Sequence, residues 1–216
     1  MKKTATFVFA IALSSAGLHA QKPRTIEYGG GFRFEAAAQE EPATLTKIFS
    51  NLGPATSAYS NEAYGVTGPN SSYGSSAFVA MAFTPKANSH VSQVRAALQY
   101  NASGANQVNL SLYSDASGIP GVLLAGPVTV TNLPALGTCC TLAIANFHAV
   151  AVTAGTQYWV VADTPGTGTG SDFDGGWAFV PPSKNLIVGV DIKSGGWYSF
   201  PAVISEPAGA AYGTVP

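Results

Sequence analysis

The chain has 216 residues, 10 basic and 11 acidic side chains, a formal net charge of −1 and only 10% charged residues. No stretch of the sequence concentrates Lys or Arg, so the electrostatic footprint of a nucleic-acid binder is missing. Charge is well below the quarter usual in soluble domains; Gly (24), Pro (14) and neutral Ser, Thr and Asn take the polar positions instead, a composition that suits short strands joined by tight turns.

Residues 1–20 read as a bacterial-type secretory signal peptide. Met1-Lys2-Lys3 is a short positive start, Thr4 to Leu18 is an uncharged apolar run, and Leu18-His19-Ala20 puts a small residue at the cut point. The run is too short, and too rich in Ala, Ser and Gly, to span a bilayer as a mature helix. Export to the periplasm or the extracellular space is therefore expected. Cleavage would leave 196 of the 216 residues and, with Lys2 and Lys3 gone, a charge near −3. No later segment has the length and apolarity of a membrane span, so no membrane association is expected after cleavage.

Residues 21–43 hold Lys22, Arg24, Glu27, Arg33, Glu35, Glu40 and Glu41 together with Gly29-Gly30-Gly31. No sustained period of two or 3.6 runs through them. They read as a flexible charged leader with at most a helical turn across Phe34 to Glu40.

From residue 44 onward the pattern is strand, turn, strand. Ser76 to Thr84 is an apolar run ended by Pro85, short enough for a buried strand. Val91 to Tyr100 follows, then the turn residues 101–106. Val108, Leu110 and Leu112 alternate with Asn109 and Ser111, the period of a half-buried strand; with 91–100 this predicts a long antiparallel hairpin. Asp115 to Gly121 is a compact loop in which the Asp115 side chain closes the turn before Gly118. Further strands are predicted at 122–132, 140–152, 157–163, 177–180, 186–192, 197–200 and 210–214. The segment between 163 and 177, rich in Gly and Thr, is the most flexible loop. No helical stripe and no internal repeat occurs. The prediction for 44–216 is an all-β domain, an antiparallel β-sandwich that is jelly-roll-like.

Six pieces of this body occur in a familiar order: Phe49-Ser50-Asn51-Leu52-Gly53, Ala80-Met81-Ala82-Phe83-Thr84-Pro85, the run Leu112 to Gly121 (LYSDASGIPG), Leu136-Gly137-Thr138-Cys139-Cys140, the run Thr153 to Val161 (TAGTQYWVV), and Ala211-Tyr212-Gly213-Thr214. Over residues 45–216 the chain resembles the choice-of-anchor R domain family, exported bacterial domains often found ahead of a PEP-CTERM or similar sorting anchor. The resemblance implies an extracellular β-domain and no established chemistry. Here Glu206-Pro207 is not followed by an apolar span and a basic tail, so a sorting anchor is not expected, and neither is surface attachment through one.

Candidate sites are few. Cys139 and Cys140, the only cysteines, are adjacent; an oxidising compartment favours a vicinal disulfide over two free thiols. Across a trans peptide their Cα atoms would sit about 3.8 Å apart, and the bond would close almost no chain. Asp172 and Asp174, with Asp163 ahead of them, form the densest acidic group in the body and are candidate Ca²⁺ ligands, against a reading as solvated turn residues. Trp177, Trp197 and Tyr198 are candidate sugar-stacking aromatics: both tryptophans follow Gly-Gly and would begin strands beside loops. The competing reading places them in the core with satisfied indole N–H groups, which is where Trp159 is expected. After cleavage only His90 and His148 remain as histidines, and neither a G-x-S-x-G nor an H-E-x-x-H motif occurs.

These features point to a secreted, non-catalytic extracellular structural or interaction module, with polysaccharide or cell-surface components as partners. The alternatives are a carbohydrate-binding module and, last, a hydrolase with a non-local active site.

Overall fold

The computed structural model describes residues 25–28, 32–35, 44–55, 57–165, 172–180, 187–192, 195–201 and 205–216. Two compact units share the chain, residues 1–44 and 45–216. In the first, β1 (Thr25–Tyr28) and β2 (Phe32–Glu35) pair antiparallel, with Ile26 opposite Phe34 and Tyr28 opposite Phe32. The helical turn expected across Phe34 to Glu40 is therefore corrected at its start, because Phe34 and Glu35 belong to β2. Two four-residue strands are too short to show as a period. Residues 1–20, 36–40 and 166–171 lie outside the described residues, and with them the signal peptide, the rest of that turn and most of the loop after Asp163.

The second unit contains strands β3 (Thr46–Ser50), β4 (Ala63–Thr67), β5 (Ala77–Phe83), β6 (Ser89–Ala96), β7 (Leu98–Ser103), β8 (Gln107–Asp115), β9 (Pro120–Thr131), β10 (Ala143–Val152), β11 (Tyr158–Asp163), β12 (Asp174–Val180), β13 (Ile187–Ile192), β14 (Tyr198–Pro201), β15 (Glu206–Pro207) and β16 (Gly209–Thr214). Among the described residues there is no helix. One sheet has four strands in the order β10-β6-β16-β3. The other has ten: β15-β12-β4-β5-β11-β8-β9 in line, with β13 attached to β5, β14 to β13 and β7 to β12. All strand pairs in both sheets are antiparallel. The chain crosses between the sheets repeatedly, which gives the jelly-roll-like sandwich expected from the sequence.

Strand parity fills the space between the sheets. Val79, Met81 and Phe83 of β5, Val108, Leu110 and Leu112 of β8, and Tyr158, Val160 and Ala162 of β11 all enter one core cluster, as a period of two requires. The four-stranded sheet answers with Val91, Val94 and Ala96 of β6, Ala143 and Ala145 of β10, and Ala211 of β16. Val91 and Val94 are three apart and still face the same way, because the β6–β16 register shifts between Tyr212 and Gly213 and a bulge resets the alternation. The intervening residues of β5 and β11, Ala80, Ala82, Trp159 and Val161, form a separate buried cluster on the opposite face of the larger sheet. That double burial explains why both strands read as continuous apolar runs.

The expected hairpin between 91–100 and 108–113 does not form. Residues 91–100 divide at Ala97 into β6 and β7, which lie in different sheets, and β8 pairs with β9 and β11. At Ala97 the backbone leaves one ladder for another. Its N–H donates to the Ala208 carbonyl (3.0 Å) and its carbonyl accepts from Ala178 N–H (2.9 Å), while Ala208 N–H donates to the Ala178 carbonyl (2.8 Å). The three alanines are fully buried, and the Trp177 indole N–H adds a second donor to the Ala208 carbonyl at 2.8 Å. Ala208 is itself the second crossing point, between β15 and β16. After β3, Asn51 grips the same corner: its side chain donates to the Pro207 carbonyl (2.8 Å) and accepts from Gly209 N–H (2.7 Å).

The C-terminal strand β16 lies inside its sheet, between β6 and β3. A Cβ on Gly213 would fall on the His90 carbonyl oxygen, so the two backbones approach there only because Gly213 has no side chain. We expect Ala208→Val to cost about 1–3 kcal/mol through overpacking, a drop of roughly 2–12 °C in melting midpoint for a domain of this size. Deletion of residues 205–216, which exposes the paired edges of β6 and β3, should abolish cooperative melting in a calorimeter.

Candidate functional site

The structure separates the three candidate aromatics. Trp177 is fully buried and lies in the middle of β12, not at a strand start. The sugar-stacking candidacy of Trp177 is corrected and its core reading holds: the preceding Gly175-Gly176 pair belongs to the strand, the ring fills the core and its indole N–H is satisfied. Trp197 is half-buried and packs on the Ala80, Ala82, Trp159 and Val161 cluster. Tyr198 is 49% exposed, its ring 6.2 Å from that of Phe200. Trp177 thus has no surface to offer a sugar.

The acidic residues are each held by neutral donors. Asp115 Oδ2 accepts the Gly118 N–H at 3.0 Å and so closes the expected turn. Its Oδ1 accepts the Trp159 indole N–H at 2.8 Å and the Gln157 amide at 2.7 Å. Burial pushes the Asp115 carboxyl up, but the Trp159, Gly118, Gln157 and Ser117 donors outweigh it and hold the group below the usual carboxylate value. Asp163 accepts from the Asn109 amide at 2.9 Å, and Asn109 in turn accepts from the Thr129 hydroxyl at 2.8 Å. Burial raises the Asp163 carboxyl, only partly offset by Asn109. Burial also raises the Tyr113 phenol on the neighbouring strand, and the negative charge of Asp163 adds to it.

Asp172 and Asp174 are buried, so they are not the solvated turn residues of the competing reading. Asp172 Oδ2 accepts Asn70 N–H at 2.9 Å, and Ser72 Oγ donates to Asp174. Both carboxylates therefore clasp the loop after β4. Among the described residues no group of three or more His, Cys, Asp or Glu side chains is arranged to hold a metal ion.

Cys139 and Cys140 are joined as a vicinal disulfide. Their Cα atoms are 3.1 Å apart across a cis peptide bond, not the trans bond that the 3.8 Å spacing assumes. Cys139 is exposed and Cys140 half-buried, with Ala58 N–H directed at Cys140 Sγ (3.3 Å). The loop that carries the pair is tied down on both sides. The fully buried Gln99 donates to the Thr138 carbonyl (2.9 Å) and accepts from Gly137 N–H (3.0 Å). Tyr59 Oη donates to the Thr138 and Thr141 carbonyls.

These two fixed loops flank a cleft of about 190 Å³ on the outer face of β4, β12 and β7. Its floor is glycine. Gly65 of β4 is the direct partner of Gly176 of β12, so two adjacent strands present no side chain at the same level. Space above Gly65 is open for 4 Å, whereas a Cβ on Gly176 would meet Ala63. Leu136 forms one wall and Tyr73 the other, 45% and 68% exposed. Asn61, Asn101 and Asp174 supply the polar groups. Asn101 arrives through a bulge: β7 has extra residues against Asp174 and Gly175, and Ala102 takes a φ of 54°. Tyr73 stands on a tight turn in which Gly74 N–H bonds to the Ser71 carbonyl (2.9 Å) and Gly74 has a φ of 62°, a value that favours glycine.

Sequence reasoning identified Asp174 but not the cleft. Tyr73 sits in a run of Ser, Asn and Gly without periodicity, and Gly65 and Gly176 become partners only through sheet pairing. A larger opening of about 640 Å³ lies between the edge strands β9 and β10, lined by apolar residues such as Leu124, Val128 and Phe147, with His148 beside them. No family model matches this sequence, and neither a curated protein nor a solved structure matches it.

The raised Asp163 carboxyl has a consequence with a definite sign. A group that binds its proton more tightly in the folded state favours folding at acid pH, and this contribution is lost as pH rises through the folded value. Asp163→Asn keeps the acceptor for Asn109 and removes the charge. We expect it to raise the melting midpoint at pH 7. The gain should fade as pH falls through the raised folded value toward the ordinary carboxylate range, and be absent below it; a gain that grows on acidification would contradict the assignment. For the disulfide, alkylation without reductant should label neither cysteine. Replacing both with Ser should cost less than the roughly 2–4 kcal/mol of a typical disulfide, since almost no chain is closed.

Proposed function

We propose that this protein is an exported, non-catalytic binding module of the choice-of-anchor R type, which holds an extracellular surface component in the cleft between Tyr73 and Leu136. The observation that carries the reading is the open space over Gly65 of β4, bounded by two loops locked by side-chain hydrogen bonds. Such a surface is preorganised: the ligand does not have to order it, so less affinity is lost on binding. The lining carboxylate, Asp174, accepts the Ser72 hydroxyl and so serves the architecture of the wall. The positive start and apolar run of residues 1–20 support export.

The reading predicts two outcomes. Expressed with its own first twenty residues in a bacterial host, the protein should be recovered outside the cytoplasm with an intact mass that begins at Gln21. The purified product should also bind isolated bacterial envelope material, and Gly65→Val, whose Cβ would stand in open space, should remove that binding while the melting midpoint stays unchanged. Envelope binding that is indifferent to Gly65→Val would place recognition elsewhere.

A further inference from the structure

We infer that the cleft binds a neutral carbohydrate chain, with one pyranose ring in the open space over Gly65 and its C–H face against Tyr73. This rests on the reading of the domain as a cleft-binding module and names the ligand class of that site. Four features of the lining lead to it.

The first is shape. Gly65 leaves open space on β4, beside the Ala63 methyl and bounded by an aromatic ring and a leucine, so a rigid ring can approach the backbone there closely. A cleft of about 190 Å³ has room for a single ring, and the walls rather than the floor would meet its neighbours along a chain.

The second is the aromatic wall. Tyr73 is 68% exposed, yet its turn is held from several directions. Ser72 donates to Asp174, Asn70 N–H is bound by Asp172, Gly68 N–H bonds to the Phe173 carbonyl (3.1 Å), and Thr67 Oγ1 donates to the Ser75 carbonyl (2.8 Å). A Cβ on Gly68 would strike the Asp172 side chain, so the loop lies directly on that carboxylate. An exposed aromatic on an immobilised turn offers contact area at little cost in conformational entropy.

The third is polarity without positive charge. Asn61 and Asn101 each bring a donor and an acceptor, and Asp174 brings an acceptor. Among the described residues no Lys, Arg or His lines the cleft. Hydroxyl groups, which both donate and accept, match this set; phosphate, sulfate or uronate groups would meet Asp174 with no cation among the described lining residues to offset it.

The fourth is the state of the backbone. Strand β12 is paired on one side with β4 and on the other with β7. On β12, therefore, an extended peptide would find no ladder to join.

The test is a glycan array of neutral and acidic oligosaccharides probed with the exported full-length protein, followed by calorimetric titration of the best neutral ligand. Tyr73→Ala and Gly65→Val are measured alongside, with melting midpoints to show that both variants fold. The expected result is binding of neutral but not acidic chains, weakened at least about tenfold in Tyr73→Ala, and lost in Gly65→Val. Binding confined to acidic glycans, or neutral binding that either variant leaves unchanged, overturns the inference. If envelope binding is lost in Gly65→Val while no neutral glycan binds, the ligand class is wrong and the cleft-binding reading stands. If neither envelope nor glycan binding responds to Gly65→Val, both fail.

Discussion

Three alanine peptides join the two sheets. Ala97, Ala178 and Ala208 form a closed circuit of backbone hydrogen bonds, none longer than 3.0 Å, at the place where the chain twice changes sheets. Buried N–H and C=O groups must find partners, and a sheet-to-sheet crossing interrupts the ladder that would normally supply them. The circuit resolves this: each crossing residue uses the other, or β12, as its partner. Only a small side chain fits, since all three alanines are fully buried. The β6–β7 division, the placement of β16 between β6 and β3, and the seating of Trp177 all depend on this corner.

Strand β12 converts that corner into a surface. Its inner face carries Trp177, whose indole N–H completes the Ala208 carbonyl, and at the adjacent position its outer face carries Gly176. On β4 the same contrast appears between Val66, fully buried, and Gly65. Large side chains inside and only Gly65, Gly176 and the small Ala63 outside produce a rigid, shallow patch. A sheet backed by a packed core does not yield when a ligand presses on it, so the cleft keeps its shape without a ligand present.

The polar chemistry of the domain follows from its low charge. Carboxylates here act mainly as acceptors for neutral donors: Asp115 for an indole and two amides, Asp163 for Asn109, Asp172 and Asp174 for the loop after β4. Gln99 does the same work for the disulfide loop from a fully buried position. Each bond satisfies a group that burial would otherwise penalise. One chemistry thus immobilises the turn that bears Tyr73 and the loop that bears Leu136, and among the described residues Asp174 is the one charged group that lines the cleft between them.

Local pattern by itself determined the fold class. Alternation in 108–112 and the unbroken apolar runs at 76–84 and 157–163 specify strands, because the period of two is a property of the extended backbone and needs no partner. The Asp115–Gly118 turn was legible for the same reason: its hydrogen bond spans three residues. What pairs with what was not legible. Residues 91–100 look like one strand, and only the distant peptides of Ala178 and Ala208 divide them. Trp177 after two glycines looks like the mouth of a loop, and only the register that sets Gly176 beside Gly65 shows that the glycines are floor and the tryptophan is core. Tyr73 carries no periodic signal at all, since its position is set by Asp172 and Asp174, about a hundred residues away along the chain. Strand identity is written in neighbouring residues; the site is made by contacts between residues far apart in sequence, which sheet pairing alone decides.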